Sequence, residues 1–263
     1  TGGFGIKNTS LGGYSVTIQW IVTIFMMLFG VNFNAYYIMI FGSIKKALSM
    51  EEVRAYFGII LTAIVIITIN IYSICSGVWD AVTKSAFQVS SIITTTGFAT
   101  TDFNIWPQTS KTILVLLMFV GACAGSTGGG IKVSRILILC KTVRKELHIF
   151  LHPNAVKKIK MDGKAIPHEV VRSTNIFFIV YMLIFASSIF LIAFDDFNLI
   201  TNFTAVAATF NNIGPGLELV GPTGNFGMFS WFSKLILTFD MLAGRLEIFP
   251  LLILFVRDTW KKF

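Results

Sequence analysis

"TTTGFATTDFNIWP", Thr94 to Pro107, sets a glycine in a polar loop at the end of a short amphipathic segment, "DAVTKSAFQVSSIITT". That segment, roughly 14 helical residues, is too short to cross a bilayer, which takes about 20. The pattern recurs. "FNLITNFTAVAATFNN" runs into "NNIGPGLELVGPTGNF", and Gly97 and Gly214 stand 117 residues apart. The apolar spans that precede them begin near Tyr56 and Ser173, again 117 apart. A fixed period marks an internal repeat, and its unit reads span, half-span, glycine loop, span. The opening "TGGFG", followed by a span from Tyr14 to Phe41, reads as the tail of one more copy, with Gly3 in the place of Gly97 and Gly214.

Composition supports the same architecture. The 263 residues are 54% hydrophobic and 13% charged, with a mean hydropathy of +0.76, whereas soluble domains carry roughly 25% charge. No charged residue occurs from Asn8 to Ile44, Ala55 to Trp79, Thr112 to Ile131 or Ser173 to Phe194. The reading is an all-α polytopic membrane protein. Its spans are Tyr14–Phe41, Tyr56–Trp79, a broken segment from Thr109 to about Leu147, Ser173–Phe194 and Met228–Val256. The net charge of +8 is one-sided. Lys45, Lys46 and Arg54, ten Lys/Arg between Lys132 and Arg172, and Arg257, Lys261 and Lys262 lie on one side. Only Lys7, Lys84, Lys111 and Lys234 lie on the other. By the positive-inside rule the basic side is cytoplasmic. Anionic lipid is then the default partner of that charge, a cytoplasmic protein the second choice, and nucleic acid is set aside. Cys75, Cys123 and Cys140 show no pairing pattern and read as small core side chains.

Half-helices that return as non-helical backbone survive at membrane depth only where protein buries them or water lines them. Several such loops around one axis present carbonyl oxygens that replace the hydration shell of an alkali cation. Glycine turns its carbonyl inward without a Cβ clash, and the C-terminal ends of the short helices favour cations. Hydroxyls of Thr94, Thr95 and Thr96 would add oxygens just below. The plainer alternative is a re-entrant turn that merely packs.

"AGSTGGGIKVSRILIL" (Ala124–Leu139), "LHPNAVKKIK" (Leu151–Lys160), "NNIGPGL" (Asn211–Leu217) and "GRLEIF" (Gly244–Phe249), with the Thr94–Pro107 loop, resemble the TrkH/TrkG/KtrB superfamily of potassium transporters. The HPNAV and GRLEIF segments bring the chain nearer to TrkH than to KtrB. The resemblance implies membrane–pore–membrane repeats around a central potassium pathway. It also implies a homodimer in the bacterial inner membrane, and a cytoplasmic nucleotide-binding regulatory subunit of the TrkA/KtrA type. It divides the chain into the end of a second repeat (1–46), a third repeat (47–165) and a fourth (166–263). The first repeat and the second pore helix are missing, so a fragment or incomplete subunit is expected. Candidate filter residues are Gly2, Gly3, Thr95, Thr96, Gly97, Asn212, Ile213 and Gly214. Potassium is the substrate, no cofactor is expected, and the chain reads as a transporter rather than an enzyme. A secondary transporter coupled to protons or sodium is the alternative, although the repeats run in the same orientation rather than inverted.

"GACAGSTGGGIK" interrupts the third inner helix below the filter. It fails as a phosphate loop, because Ile131 stands where the Walker pattern needs lysine. Polar non-helical backbone at that depth should face the pore, where it can obstruct the path and move aside. In the resembled family this is the intramembrane gating loop, here Gly125, Ser126, Thr127, Gly128, Gly129 and Gly130. Shifting Arg245 back by the 117-residue repeat gives Gly128. An arginine inside an apolar span is a functional candidate, so Arg245 should point at the loop and bond its carbonyls or hydroxyls. The alternative is a side chain snorkelling to the interface. Asp240 and Glu247 are poorly placed to pair with it. Asp102 and Glu218 follow the filter loops and should concentrate cations at the outer mouth. Asp195 and Asp196 read as a membrane boundary, and His148 with His152 is weak evidence for zinc.

Overall fold

A run of apolar residues becomes one helix only if nothing in it breaks the backbone ladder. The computed structural model of the chain describes residues 2–3, 5–154, 157–246, 248–254 and 256–260. Glu247, Lys261 and Lys262 lie outside them. The helices are α1 (Val16–Phe29), α2 (Phe33–Phe41), α3 (Ile44–Leu48), α4 (Glu51–Ile71), α5 (Val78–Ile93), α6 (Gln108–Val120) and α7 (Val133–Leu151). A small antiparallel hairpin, β1 (Lys160–Met161) and β2 (Lys164–Ala165), pairs Lys160 with Ala165. Then come α8 (His168–Ile192), α9 (Leu199–Phe210), α10 (Trp231–Leu246) and α11 (Ile248–Ile253). Among the described residues, two helices are long and apolar enough to cross a bilayer, Glu51–Ile74 and His168–Asp195.

The short helices α5 and α9 are the best shielded. Nearly every residue from Ser85 to Ile93 and from Thr204 to Phe210 is buried. α4 and α6 pack on α5, α8 and α10 pack on α9, and α1 also packs on α5. Phe119 of α6 joins the two groups, with its ring against Phe185 of α8 (5.3 Å) and Phe203 of α9 (6.0 Å). Cys123 is buried, Cys75 half-buried and Cys140 exposed, so only Cys123 is a core side chain.

Several span boundaries differ from the sequence reading, and two of the differences bear on the fold. Trp79 belongs to α5, because the preceding span ends at Ile74. More consequentially, Tyr14–Phe41 is not one helix: α1 and α2 meet at 88° across Gly30–Asn32. Asn32 caps the new helix by accepting the Asn34 amide on Oδ1 (2.8 Å). A Cβ on Gly30 would overlap the Tyr56 hydroxyl, which donates to the Met27 carbonyl (3.0 Å). Gly30→Ala is therefore expected to lower the unfolding temperature in detergent, since overpacking costs about 1–3 kcal/mol. Adding Tyr56→Phe should recover part of the loss. Equal melting of Gly30→Ala and wild type would refute this account of the bend.

Candidate ion pathway and gate

The two complete glycine loops share one backbone design. Thr96 and Gly97 both donate to the Ser91 carbonyl (2.9 and 3.3 Å), and Thr95 donates to Ile92 (3.0 Å). Ile213 and Gly214 both donate to Ala208 (2.8 and 3.4 Å), and Asn212 to Thr209 (3.0 Å). Each partner is 117 residues from its counterpart. Thr95 and Asn212 take positive φ (55° and 58°), as do Gly97 and Gly214 (83° and 114°). Asn tolerates that region, but a β-branched threonine there is an outlier, and such strain gathers at functional sites.

The three loops meet at one point. The Gly2 amide donates to the Ile213 carbonyl (3.1 Å), and the Gly3 amide to Thr96 (3.0 Å). A Cβ on Gly3 would overlap the Gly97 carbonyl, one on Gly97 the Ile213 carbonyl, and one on Gly214 the Gly2 carbonyl. The candidate filter residues are thus brought together. Two of their carbonyls, those of Thr96 and Ile213, accept neighbouring amides. Above them opens a cleft of about 1010 Å³ bounded by Gly3, Gly97, Gly214, Lys7 and Lys234. Asp102 and Glu218 do not line it. Asp102 instead caps its own turn through the Asn104 amide (2.9 Å), and Asn104 carries the Glu218 amide on Oδ1 (2.9 Å). The two acids sit where the outer loops are stitched together.

Directly beneath lies the segment 121–132 between α6 and α7. Its amides and carbonyls are satisfied by four different parts of the chain: the α1–α2 bend, the Thr95 loop, Arg245 and Glu52. At the bend between α1 and α2, the Cys123 amide donates to Gly30 (3.0 Å), Phe33 donates to the Gly125 carbonyl (3.0 Å), and Thr127 Oγ1 donates to Phe29 (3.2 Å). The break at Gly30 therefore exposes the backbone groups on which the loop docks, as irregular backbone in a membrane demands. At the candidate filter, the Gly129 amide donates to Thr95 Oγ1 (2.7 Å). The Thr95 hydroxyl expected to face an ion is engaged by the loop, while Thr94 and Thr96 pair with each other (2.8 Å). A Cβ on Gly129 would meet the Asn211 carbonyl at the end of α9 (2.5 Å), so the loop packs closely against the end of that short helix.

The third anchor is Arg245, whose Nη1 donates to the Thr127 carbonyl (3.1 Å), the kind of contact that the repeat offset predicts. It shares a cavity of about 160 Å³ with Ser126, Gly128, Gly129, Gly130 and Asn211. Asp240 does not pair with it. That buried carboxylate accepts the Ser188 hydroxyl of α8 (2.7 Å), and its Oδ2 has no hydrogen-bond partner among the described residues.

Sequence reasoning missed Glu52. Its side chain is buried at the start of α4. Oε1 accepts the amides of Ala124 (2.6 Å) and Ser134 (3.2 Å), and Oε2 accepts Asn32 Nδ2 (3.4 Å). Its neighbour Glu51 faces the hairpin, accepting the Asp162 amide (3.2 Å) and pairing with Lys141. The only available signal was an apolar helix opening on two acids, which reads as ordinary helix-dipole chemistry. His148 and His152 stack edge to face (5.1 Å), but no group of three metal-ligating side chains occurs among the described residues.

The family model for TrkH, described as a cation transport protein, matches residues 1–262. The chain belongs to the TrkH family. It is 38% identical over 268 residues to the Trk system potassium uptake protein TrkH of Salmonella typhimurium, covering 99% of this chain and 54% of that protein. It is 34% identical over 272 residues to TrkG of Escherichia coli, covering 98% and 55%. The crystal structure of the potassium transporter TrkH from Vibrio parahaemolyticus superposes with a TM-score of 0.89 at 36% identity, over 98% of this chain and 56% of that one. The chain thus spans about half the length of the curated relatives it matches. Its architecture is that of this family, helical and membrane-embedded with pore loops, and the family's description is one of transport, not catalysis.

Proposed function

We propose that this TrkH-family chain forms most of a gated potassium pathway in a multi-pass subunit of the bacterial inner membrane. One observation carries the reading: three glycine loops, two of them with the same backbone design, converge at Gly3, Gly97 and Gly214. A fourth loop, from the part of the full-length protein outside these residues, would complete the ring. The carbonyls now bonded to Gly2 and Gly3 amides would then face the ion and replace its water. The segment Gly125–Gly130 under the filter acts as the gate, with Arg245 as its latch. Potassium is the transported ion. A homodimer and a cytoplasmic regulatory subunit of the TrkA type, docked on the basic side, complete the assembly.

The test is uptake of rubidium tracer into proteoliposomes holding the full-length protein. Uptake competed by potassium but not by equal sodium is expected. Accumulation of an organic solute, or competition by sodium as strong as by potassium, would overturn the reading.

A further inference from the structure

Three donors from two distant parts of the chain converge on one buried carboxylate. Glu52 lies in the first turn of α4 and is 5% exposed. Its Oε1 holds the amide of Ala124, where the loop begins, and that of Ser134, in the first turn of α7 just after the loop ends. An anion at a helix N-terminus also meets the positive end of the helix dipole. Its Oε2 takes Asn32 Nδ2, from the bend on which the loop docks. Both ends of the loop and its docking site are therefore tied to one side chain. Glu51 steadies the turn from which Glu52 reaches. Its own amide donates to Asp162 (2.7 Å), and its carboxylate pairs with Lys141, whose Nζ also donates to the Lys160 carbonyl (2.7 Å).

We propose that Glu52 is the positioning residue of the gate: it holds the loop in its closed place by clamping the two loop ends to the α1–α2 bend. The proposal rests on the gate reading above. It differs from a purely structural role in one respect. The clamp has a donor–acceptor polarity that can be reversed, because Asn32 donates to Glu52 while its Oδ1 independently caps α2. Asn32→Asp keeps that cap but sets two carboxylates against each other. Adding Glu52→Gln gives the carboxylate at position 32 an amide donor again, and leaves an oxygen for Ala124 and Ser134.

The experiment compares rubidium uptake by the full-length protein, without regulatory subunit, in Glu52→Ala, Asn32→Asp, the Asn32→Asp/Glu52→Gln pair and Arg245→Ala. Glu52→Ala and Asn32→Asp are each expected to raise potassium-competable uptake about tenfold, the loss of a charged hydrogen bond read as an equilibrium shift. The pair should return uptake to within about twofold of wild type, a residue set by the weaker neutral donor. Wild-type uptake in both single variants, with Arg245→Ala raised, would sink the Glu52 clamp and leave the gate standing. Wild-type uptake in Arg245→Ala as well would sink both. Raised uptake that the pair fails to reverse would reduce Glu52 to a residue needed for folding and overturn the clamp. Should Glu52→Ala fail to fold, Asn32→Asp and its reversal carry the test alone.

Discussion

Arg245→Ala in the full-length protein is expected to raise basal, potassium-competable rubidium uptake about tenfold, because a charged hydrogen bond contributes about 1.5–3 kcal/mol and 1.4 kcal/mol is a factor of ten. The lower end applies, since Arg245 borders an open cavity and water shares its donors. Two effects are removed together: the bond from Nη1 to the Thr127 carbonyl, and a positive charge beside the proposed ion path. Conservative variants separate them. Arg245→Lys keeps the charge as a compact point but loses the planar fork, whereas Arg245→Gln keeps a donor and loses the charge. If the electrostatic barrier dominates, Gln conducts more than Lys; if the latch dominates, the order reverses. Deleting Gly125–Gly130 should exceed all three, because it also removes the amide that holds Thr95 Oγ1. A deletion variant that folds yet conducts like wild type would show that the loop closes nothing.

What was legible in the sequence, and what was not, follows from the range of each signal. Hydropathy and the 117-residue period are sums over many residues, so they survive single exceptions, and the half-helices α5 and α9 appear where the pattern puts them. The Arg245 contact was reachable because a repeat converts sequence offset into membrane depth. The bend at Gly30–Asn32 was not, because a window average hardly responds to one glycine and one asparagine among apolar neighbours. Glu52 was hidden for a different reason. Two of its partners are backbone amides at Ala124 and Ser134, and an amide donor leaves no mark on residue type. Thr95 shows a third limit: its Oγ1 accepts the Gly129 amide, a contact that residue type alone does not announce.

Gly97→Ala is expected to lower potassium-competable uptake at least tenfold while leaving the helices intact. Gly97 sits at φ 83°, and an added Cβ would overlap the Ile213 carbonyl while standing 2.6 Å from the Gly3 amide nitrogen and 2.9 Å from its Cα. Every obstacle is backbone, so no side-chain rotation relieves it. An L-residue in the left-handed region costs about 1–2 kcal/mol, and overpacking adds about 1–3 kcal/mol. The loop must therefore shift its carbonyl, and a displaced oxygen no longer matches its neighbours around the ion. Gly214→Ala, at φ 114° against the Gly2 carbonyl, should behave alike because it occupies the same place in the repeat. Gly58→Ala is the control: nothing lies within 4 Å of its added Cβ in α4, and alanine favours helix by about 1 kcal/mol. Loss of uptake in Gly97→Ala and Gly214→Ala but not in Gly58→Ala locates the selectivity element in the converging loops. Wild-type rate and unchanged discrimination against sodium in Gly97→Ala would mean that the loops pack the protein but do not contact the ion. That outcome would move the search for the filter to another part of the full-length protein.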